Sequence, residues 1–363
     1  MIYLDNAATT PICDAARKTI TENFNYFGNP SSVHDLGRQS RVLIENARER
    51  IAKCINANPE YIYFTSGGSE ANTLALNKRH HSASSKFEHH SVVTDWPKIS
   101  ITKDGFIKSH KLNNMLSEWW EVPFTVMSCM YVNNEIGTIQ PIKELATIAH
   151  RYGILFHTDA VQAMPYIPID VKDIGCDMLS ASGHKFGAPK GVGFLYANER
   201  SHIKPIINGG KQENGIRPGT ENILGILAMS SALEDTIEHM DEHNKHVETL
   251  RNKMLDKLLQ IDGSHLNGSL ENRVPSNINI RFDGVSGSRL VSLCSLYGVY
   301  ISAGSACNEG ISAPSHVLKV IGLSDEDALS SVRITLGHQN TEEEVDIATD
   351  IITALVKRIR DEN

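Results

Sequence analysis

No two of the six cysteines (Cys13, Cys54, Cys129, Cys176, Cys294, Cys307) stand at C-x-x-C spacing. The pattern therefore indicates neither a zinc knuckle nor a thioredoxin-like redox pair. In a reducing compartment most such thiols are buried and inert. No apolar run reaches the roughly 18 residues that a membrane helix needs. The start, Met1-Ile2-Tyr3-Leu4-Asp5, has neither a charged n-region nor a long apolar stretch. No secretory leader is expected, and the expected compartment is the cytoplasm. Internal repeats and low-complexity segments are lacking as well. So is any excess of positive charge: Lys and Arg number 35 against 43 Asp and Glu, a net charge of −8. That balance argues against a broad phosphate-binding face, which would cluster Lys and Arg. A nucleic-acid pathway would be served through a partner protein.

What is present is an ordinary globular composition, 40% hydrophobic and 21% charged, in 363 residues. That length allows one large domain and a smaller second one. Short apolar runs predict strands at Tyr61–Thr65, Thr125–Tyr131, Ile154–His157, Met178–Ala181 and Val192–Tyr196. Helical periodicity lies between them, with Leu36, Leu43, Ala47 and Ile51 on one face and Ile142, Leu145, Ala146 and Ala149 on another. Strands alternating with helices imply an α/β fold with a mainly parallel sheet covered on both faces. Beyond about residue 245 the texture changes. A helix carries Leu250, Met254, Leu255 and Leu258, and Ile278, Ile280 and Phe282 alternate as a half-buried strand. Thr341-Glu342-Glu343-Glu344 forms a capping box for a last helix through Ile347, Ile351 and Leu355. This part reads as a smaller α+β domain.

Four loops carry candidate chemistry, and in open α/β sheets ligands bind beyond the carboxyl ends of strands. Thr65-Ser66-Gly67-Gly68-Ser69-Glu70-Ala71-Asn72 follows a strand and opens a helix. Free amides and the helix dipole make such a place a phosphate cradle; a plain turn with a Ser cap is the alternative. Asp159, within His157-Thr158-Asp159-Ala160-Val161-Gln162, ends a buried strand and needs a partner. A protonated pyridine nitrogen would serve, and so would a helix cap. Lys185, within Ser180 to Gly187, could bond an aldehyde if desolvation lowers its pKa; a lone loop Lys is otherwise merely solvated. Together, an Asp for the pyridinium and a Lys for the aldehyde, one βα unit apart, are the two handles of a pyridoxal-phosphate site. Finally, Cys307 lies among small residues from Ser302 to Gly310, as in an accessible, mobile loop. Such a thiol is a nucleophile if its thiolate is stabilised, and otherwise has no role.

Taken together, the motifs closely resemble the cysteine desulfurases of the NifS/IscS type, within the class V aminotransferase-like pyridoxal-phosphate enzymes. The resemblance runs from Tyr3-Leu4-Asp5-Asn6-Ala7-Ala8-Thr9-Thr10 through Gly28-Asn29-Pro30-Ser31-Ser32, Gly37-Arg38, Ser66 to Asn72, Glu88-His89 and Val132 to Gly137. It continues through the Asp159 and Lys185 loops, Arg217 to Asn222, the Cys307 loop and Arg333-Ile334-Thr335-Leu336-Gly337. It implies an aspartate-aminotransferase-type (fold type I) enzyme, with a large cofactor-binding domain over residues 14–250. A small domain would combine residues 1–13 with 251–363 and carry the Cys loop. The cofactor implied is pyridoxal 5'-phosphate, bonded by Lys185, which would also move the substrate's Cα proton. Asp159 would pair with the pyridine nitrogen, Gln162 with the ring hydroxyl, and His89 would stack on the ring and assist proton transfer. Gly68, Ser69, Ser182 and His184 would hold the phosphate, joined by Thr220 from the other subunit of a homodimer. Asn134 and Arg333 would hold the carboxylate of L-cysteine, a task suited to the planar guanidinium fork. Cys307 would take the sulfur as a persulfide, release alanine, and pass the sulfur to an acceptor protein. No direct contact with nucleic acid or membrane, and no metal, is expected.

Several features depart from the family pattern. Gly209-Gly210-Lys211 replaces a glycine triplet, and Asn308-Glu309 follows Cys307 where small hydroxyl residues are common. The segment from Asn77 to Phe87 is shorter than usual, and Asn363 follows soon after the last helix. The resemblance then points away from iron–sulfur scaffolds toward a dedicated acceptor, in DNA phosphorothioation ahead of tRNA thiolation. Two rival readings differ from this one. A selenocysteine lyase or class V aminotransferase would not need Cys307, and a non-catalytic scaffold would need none of Lys185, Asp159, His89 and Cys307.

Overall fold

The computed structural model describes residues 1–76, 82–92, 99–118, 125–303 and 313–362. Eleven strands are found there: β1 (Ile2–Tyr3), β2 (Ile62–Thr65), β3 (Ser82–Ser84), β4 (Val126–Ser128), β5 (Leu155–Asp159), β6 (Met178–Ser182), β7 (Gly193–Ala197), β8 (Ser264–Leu266), β9 (Asn277–Phe282), β10 (Val299–Tyr300) and β11 (Ser331–Thr335). Six of them form the central sheet in the order β2-β7-β6-β5-β4-β3. Only the β7 pairings are antiparallel; β6, β5, β4 and β3 pair in parallel. The carboxyl ends of β2, β5 and β6 therefore point the same way, and the loops after Thr65, Asp159 and Ser182 converge.

The predicted strands are all present, although the Thr125–Tyr131 run is a strand only over Val126–Ser128. In β5, Phe156, His157, Thr158 and Asp159 are all buried, as expected of a central strand covered on both faces. A second sheet, β11-β9-β8, is antiparallel, and β1 pairs with β10 in parallel. One apolar core surrounds the six-stranded sheet, with Phe64, Met127, Phe156 and Phe194 at its centre. Another gathers Met254, Leu258, Ile280, Phe282, Val332, Ile334 and Ile352 around the antiparallel sheet. Ile2 and Leu4, from the start of the chain, belong to that second core. Val317 and Leu318, late in the chain, belong to the first.

Three faces differ from the sequence expectation. Leu36 is 46% exposed; the helix Asp35–Cys54 instead buries Gly37, Ser40, Ile44, Ala47, Arg48 and Ile51. The backbone of Asn29 and Ser32 approaches Gly37 so closely that a Cβ there would lie 2.6 and 2.5 Å from their carbonyl oxygens, so a small residue marks the packed face. Ile347 is 45% exposed, because the last helix, Glu342–Asp361, turns Val345, Ala348, Ile352, Leu355 and Ile359 inward. Its predicted capping box between Thr341 and Glu344 is present. Lastly, β9 is buried on both faces: Asn277 and Asn279 donate to the Glu135 carbonyl at 3.0 and 3.1 Å. Among the described residues no helix is long and apolar enough to cross a membrane.

Candidate active site

The helix Gly68–Leu76 starts three residues after β2 ends. Its first-turn amides have no partner within the helix and carry the positive end of its dipole. Gly68 is required by packing: a Cβ would lie 2.7 Å from Val161 Cγ2. Glu70 folds back to accept the Ser66 amide at 2.7 Å and pairs with Arg217 at 2.8 Å. Burial opposes its charge, but Arg217 and Ser66 outweigh burial and hold its pKa below the usual carboxylate range. A negative side chain at an anion cradle is thereby neutralised.

Ser182 ends β6, and the tight turn Gly183–Lys185 presents His184 and Lys185. The His184 imidazole lies 3.1 Å from the Thr9 hydroxyl. Burial, then the positive charges of Lys185 and Lys190, push its pKa down to about 4, so it is neutral at physiological pH. The Lys185 amine donates to the carbonyls of Ala7 and Ala8 at 2.6 and 2.7 Å. Gln162 donates to the same Ala7 carbonyl at 2.9 Å. The N-terminal segment is thus a wall of the site, itself tied to β11 by Asn6 and Ala7 bonding Thr335.

Asp159, 4% exposed, closes the far side. Its carboxylate accepts the Asn72 amide at 2.7 Å and the Val161 N–H at 2.9 Å. Both donors are neutral, and among the described residues no ion-pair partner meets this carboxylate, which lines the cavity. His89 contacts the Ser91 hydroxyl and amide through Nδ1, at 2.7 and 3.1 Å. Burial lowers its pKa; Asp159 pulls upward, while His90, Lys185 and His316 push further down.

Arg333, 2% exposed, projects from β11. It donates to Asp5 at 2.8 Å and to the Asn134 carbonyl at 3.0 Å, and its buried Nε–H has no partner among the described residues. An orphaned guanidinium N–H beside a cavity is a donor waiting for an acceptor.

Ten of the residues singled out in the sequence line one cavity of about 270 Å³: Gly68, Ser69, His89, Asn134, Asp159, Gln162, Ser182, His184, Lys185 and Arg333. Thr220 is exposed and lies outside that lining. Cys307 falls outside the described residues. The described chain on either side of residues 304–312 is fixed at the cavity: Ser302 exchanges both backbone hydrogen bonds with Arg333, and His316, bonded to the Glu88 carbonyl at 3.0 Å, lines the cavity. The other five thiols are poor nucleophiles. Burial raises the pKa of each, to about 11 for Cys54 and about 12 for Cys294.

The residues fit pyridoxal phosphate. The helix start would hold its phosphate, the buried Asp159 its pyridine nitrogen, and the Lys185 amine its aldehyde. Sequence reasoning assigned no role to Asn72, Ser91, Asp5 or His316. Asn72 was within reach, since it stands one helical turn after Gly68 on the same face. Ser91 stands two residues after His89, whereas Asp5 and His316 are brought to the site by tertiary packing.

Comparison with known proteins gives the family. The aminotransferase class-V family model matches residues 2–347. A curated cysteine desulfurase IscS from Dictyoglomus turgidum is 40% identical over 382 residues, covering 99% of this chain and 95% of that one. The solved NifS-like protein from Rickettsia africae superposes with a TM-score of 0.90 at 30% identity, covering 99% of each chain. SspA, solved in complex with cysteine, superposes with a TM-score of 0.79 at 31% identity, covering 94% of this chain and 100% of that one. With fold and sequence matched over nearly its full length, the chain belongs to the class-V aminotransferase family.

Proposed function

We propose that the chain is a pyridoxal-phosphate-dependent cysteine desulfurase, converting L-cysteine to L-alanine and leaving the sulfur as a persulfide on Cys307. The observation that carries this reading is the single cavity that gathers an anion-binding helix start, the buried Asp159 and the Lys185 amine. The similarity to cysteine desulfurases, and to a protein solved with cysteine, supports the substrate.

When bound, pyridoxal phosphate supplies an electron sink for the bond to the substrate's Cα. In this reading Gly68, Ser69, Ser182 and His184 hold the phosphate, neutral His184 serving as a hydrogen-bond partner and not as a cation. Asp159 would keep a proton on the pyridine nitrogen, Gln162 would contact the ring hydroxyl, and His89 would stack on the ring. Lys185 would hold the cofactor's aldehyde, and its amine would move the proton at the substrate's Cα. Arg333 and Asn134 orient the substrate carboxylate. The Cys307 thiolate attacks the substrate's sulfur, the carbon–sulfur bond breaks, and protonation at the former Cβ gives alanine. Atoms balance: one cysteine and one protein thiol give one alanine and one persulfide. Thr220 completes the phosphate site of the partner in a homodimer. The acidic balance of the chain, −8 overall, supports handover to an acceptor protein over direct contact with nucleic acid.

The test is release of sulfide and alanine from cysteine with a reductant present. The expected result is equal amounts of both from the native enzyme and neither from Cys307→Ala or Lys185→Ala. A fully active Cys307→Ala would overturn the persulfide step and favour a lyase or an aminotransferase. Co-purified partners then name the acceptor, whether of the iron–sulfur, tRNA-thiolation or DNA-phosphorothioation kind.

A further inference from the structure

Asn72 and Ser91 form a hydrogen-bonded link between two cavity residues, Asp159 and His89. The Asn72 amide nitrogen donates to Asp159 Oδ2 at 2.7 Å and to Ser91 Oγ at 2.9 Å. Ser91 in turn meets His89 Nδ1 twice, through its hydroxyl at 2.7 Å and its backbone N–H at 3.1 Å.

The donor directions in this chain follow from chemistry. An ionised carboxylate only accepts, so the Asn72 atom facing Asp159 is the nitrogen. The second hydrogen of that nitrogen goes to Ser91 Oγ, which leaves the Ser91 hydroxyl hydrogen for His89. A backbone N–H only donates, so this longer contact, 3.1 Å, also favours a lone pair at His89 Nδ1 without enforcing it alone. Both Ser91 donors thus favour the same state of the ring. Asn72 is 1% exposed, which leaves it little freedom to turn its amide over.

We propose that Asn72 and Ser91 are positioning residues that hold His89 as the neutral imidazole protonated at Nε2. The negative charge of Asp159 sets the amide of Asn72, Asn72 sets the hydroxyl of Ser91, and Ser91 sets the tautomer of His89. The titratable and charged groups that face His89 are Asp159, His90, Lys185 and His316. Of these, Asp159 alone favours the imidazolium, and its hydrogen-bonded link to His89 runs through Asn72 and Ser91. In the resting enzyme His89 therefore presents its N–H at Nε2 and has no free lone pair at Nδ1, so it enters the reaction as a neutral hydrogen-bond donor. That last consequence rests on the proposed desulfurase reading; the tautomer does not.

The test is nitrogen NMR of the holoenzyme labelled with ¹⁵N-histidine, His89 being assigned by the signal lost in His89→Gln. The native enzyme is expected to show His89 as the pure Nε2–H form. Ser91→Ala keeps the backbone N–H but loses the hydroxyl. It is expected to mix in the Nδ1–H form and to raise the His89 midpoint by about 0.5–1 pH unit, the worth of one neutral hydrogen bond. Ser91→Thr should restore both. The acid limb of kcat/KM for cysteine should move by the same amount and in the same direction. Asn72→Ala should act like Ser91→Ala, but Ser91, half-buried, keeps the test valid should the Asn72 variant fold poorly. An Nδ1–H tautomer in the native enzyme, or a tautomer and midpoint unchanged in Ser91→Ala, overturns the proposal. Failure to release sulfide from cysteine would count against the desulfurase reading alone, because the NMR result does not depend on turnover.

Discussion

The deepest test of the architecture lies at the edge of the central sheet. Strand β2 is terminal in that sheet, and edge strands leave backbone groups unpaired. Here two side chains from distant parts of the chain take the place of a neighbouring strand. Arg48 donates to the Ile62 carbonyl at 2.6 Å, and Glu213 accepts the Phe64 N–H at 2.8 Å. The two are joined by paired hydrogen bonds of 2.8 and 2.7 Å, and the guanidinium lies 4.6 Å from the centre of the Phe64 ring. Glu213 and Asn214 adopt left-handed backbone conformations, with φ of 47° and 56°. Non-glycine residues hold such angles only when their surroundings enforce them. Removing the carboxylate in Glu213→Ala leaves Arg48 buried with, among the described residues, only the half-exposed Glu45 as a countercharge.

Breaking a buried pair from one side costs about 3–5 kcal/mol. The orphaned Phe64 N–H adds about 1 kcal/mol. At about 2 °C per kcal/mol for a chain of this size, Tm should fall by about 8–12 °C at matched cofactor loading. Calorimetry of Glu213→Ala, Arg48→Met and the double variant completes the cycle. The double variant should cost at least about 2 kcal/mol less than the sum of the singles, because no lone charge then remains. Additive losses, or a Glu213→Ala variant within about 2 °C of native, would refute the argument. The same turn leads into Arg217 and its bond to Glu70, so loosening it should also weaken cofactor retention.

The pH dependence of stability should carry a signature of His184. Its folded pKa is about 4 against an ordinary 6.5, so between those values the unfolded chain binds the extra proton. Stability from this group is complete above about pH 6.5 and is lost as pH falls toward 4. His184→Asn removes that loss, so the stability gap between native and variant should narrow between pH 7 and pH 5 in urea titrations. A gap constant over that range contradicts the assignment. At the cradle, Gly68→Ala drives a methyl against Val161 and should weaken pyridoxal-phosphate binding by about tenfold, measured by titrating cofactor into stripped protein. Gly68→Ala combined with Val161→Ala should recover most of the affinity; an unchanged affinity in the single variant removes Gly68 from the cradle.

Local signals were enough wherever a residue's role depends on its neighbours in sequence. The capping box at Thr341, the inward face Ile142-Leu145-Ala146-Ala149, the helix start at Gly68 and the strand-end positions of Asp159 and Lys185 are all of this kind. Hydrophobic periodicity misleads at Leu36 and Ile347, large apolar side chains that lie off the buried face. Close backbone approach at Gly37 and the aligned row from Val345 to Ile359 set those faces instead. Polar residues inside the fold were the least legible. Asn277 and Asn279 bind the Glu135 carbonyl, Glu213 binds Arg48 across 165 residues of sequence, and Asp5 meets Arg333 across 328. A buried polar group is tolerated only when a partner of the right geometry is brought to it. Sequence therefore determined which groups this protein carries at the ends of its strands, and tertiary structure decided which of its buried polar groups are paired. Whether a partner lies within 3 Å depends on how elements far apart in the chain pack.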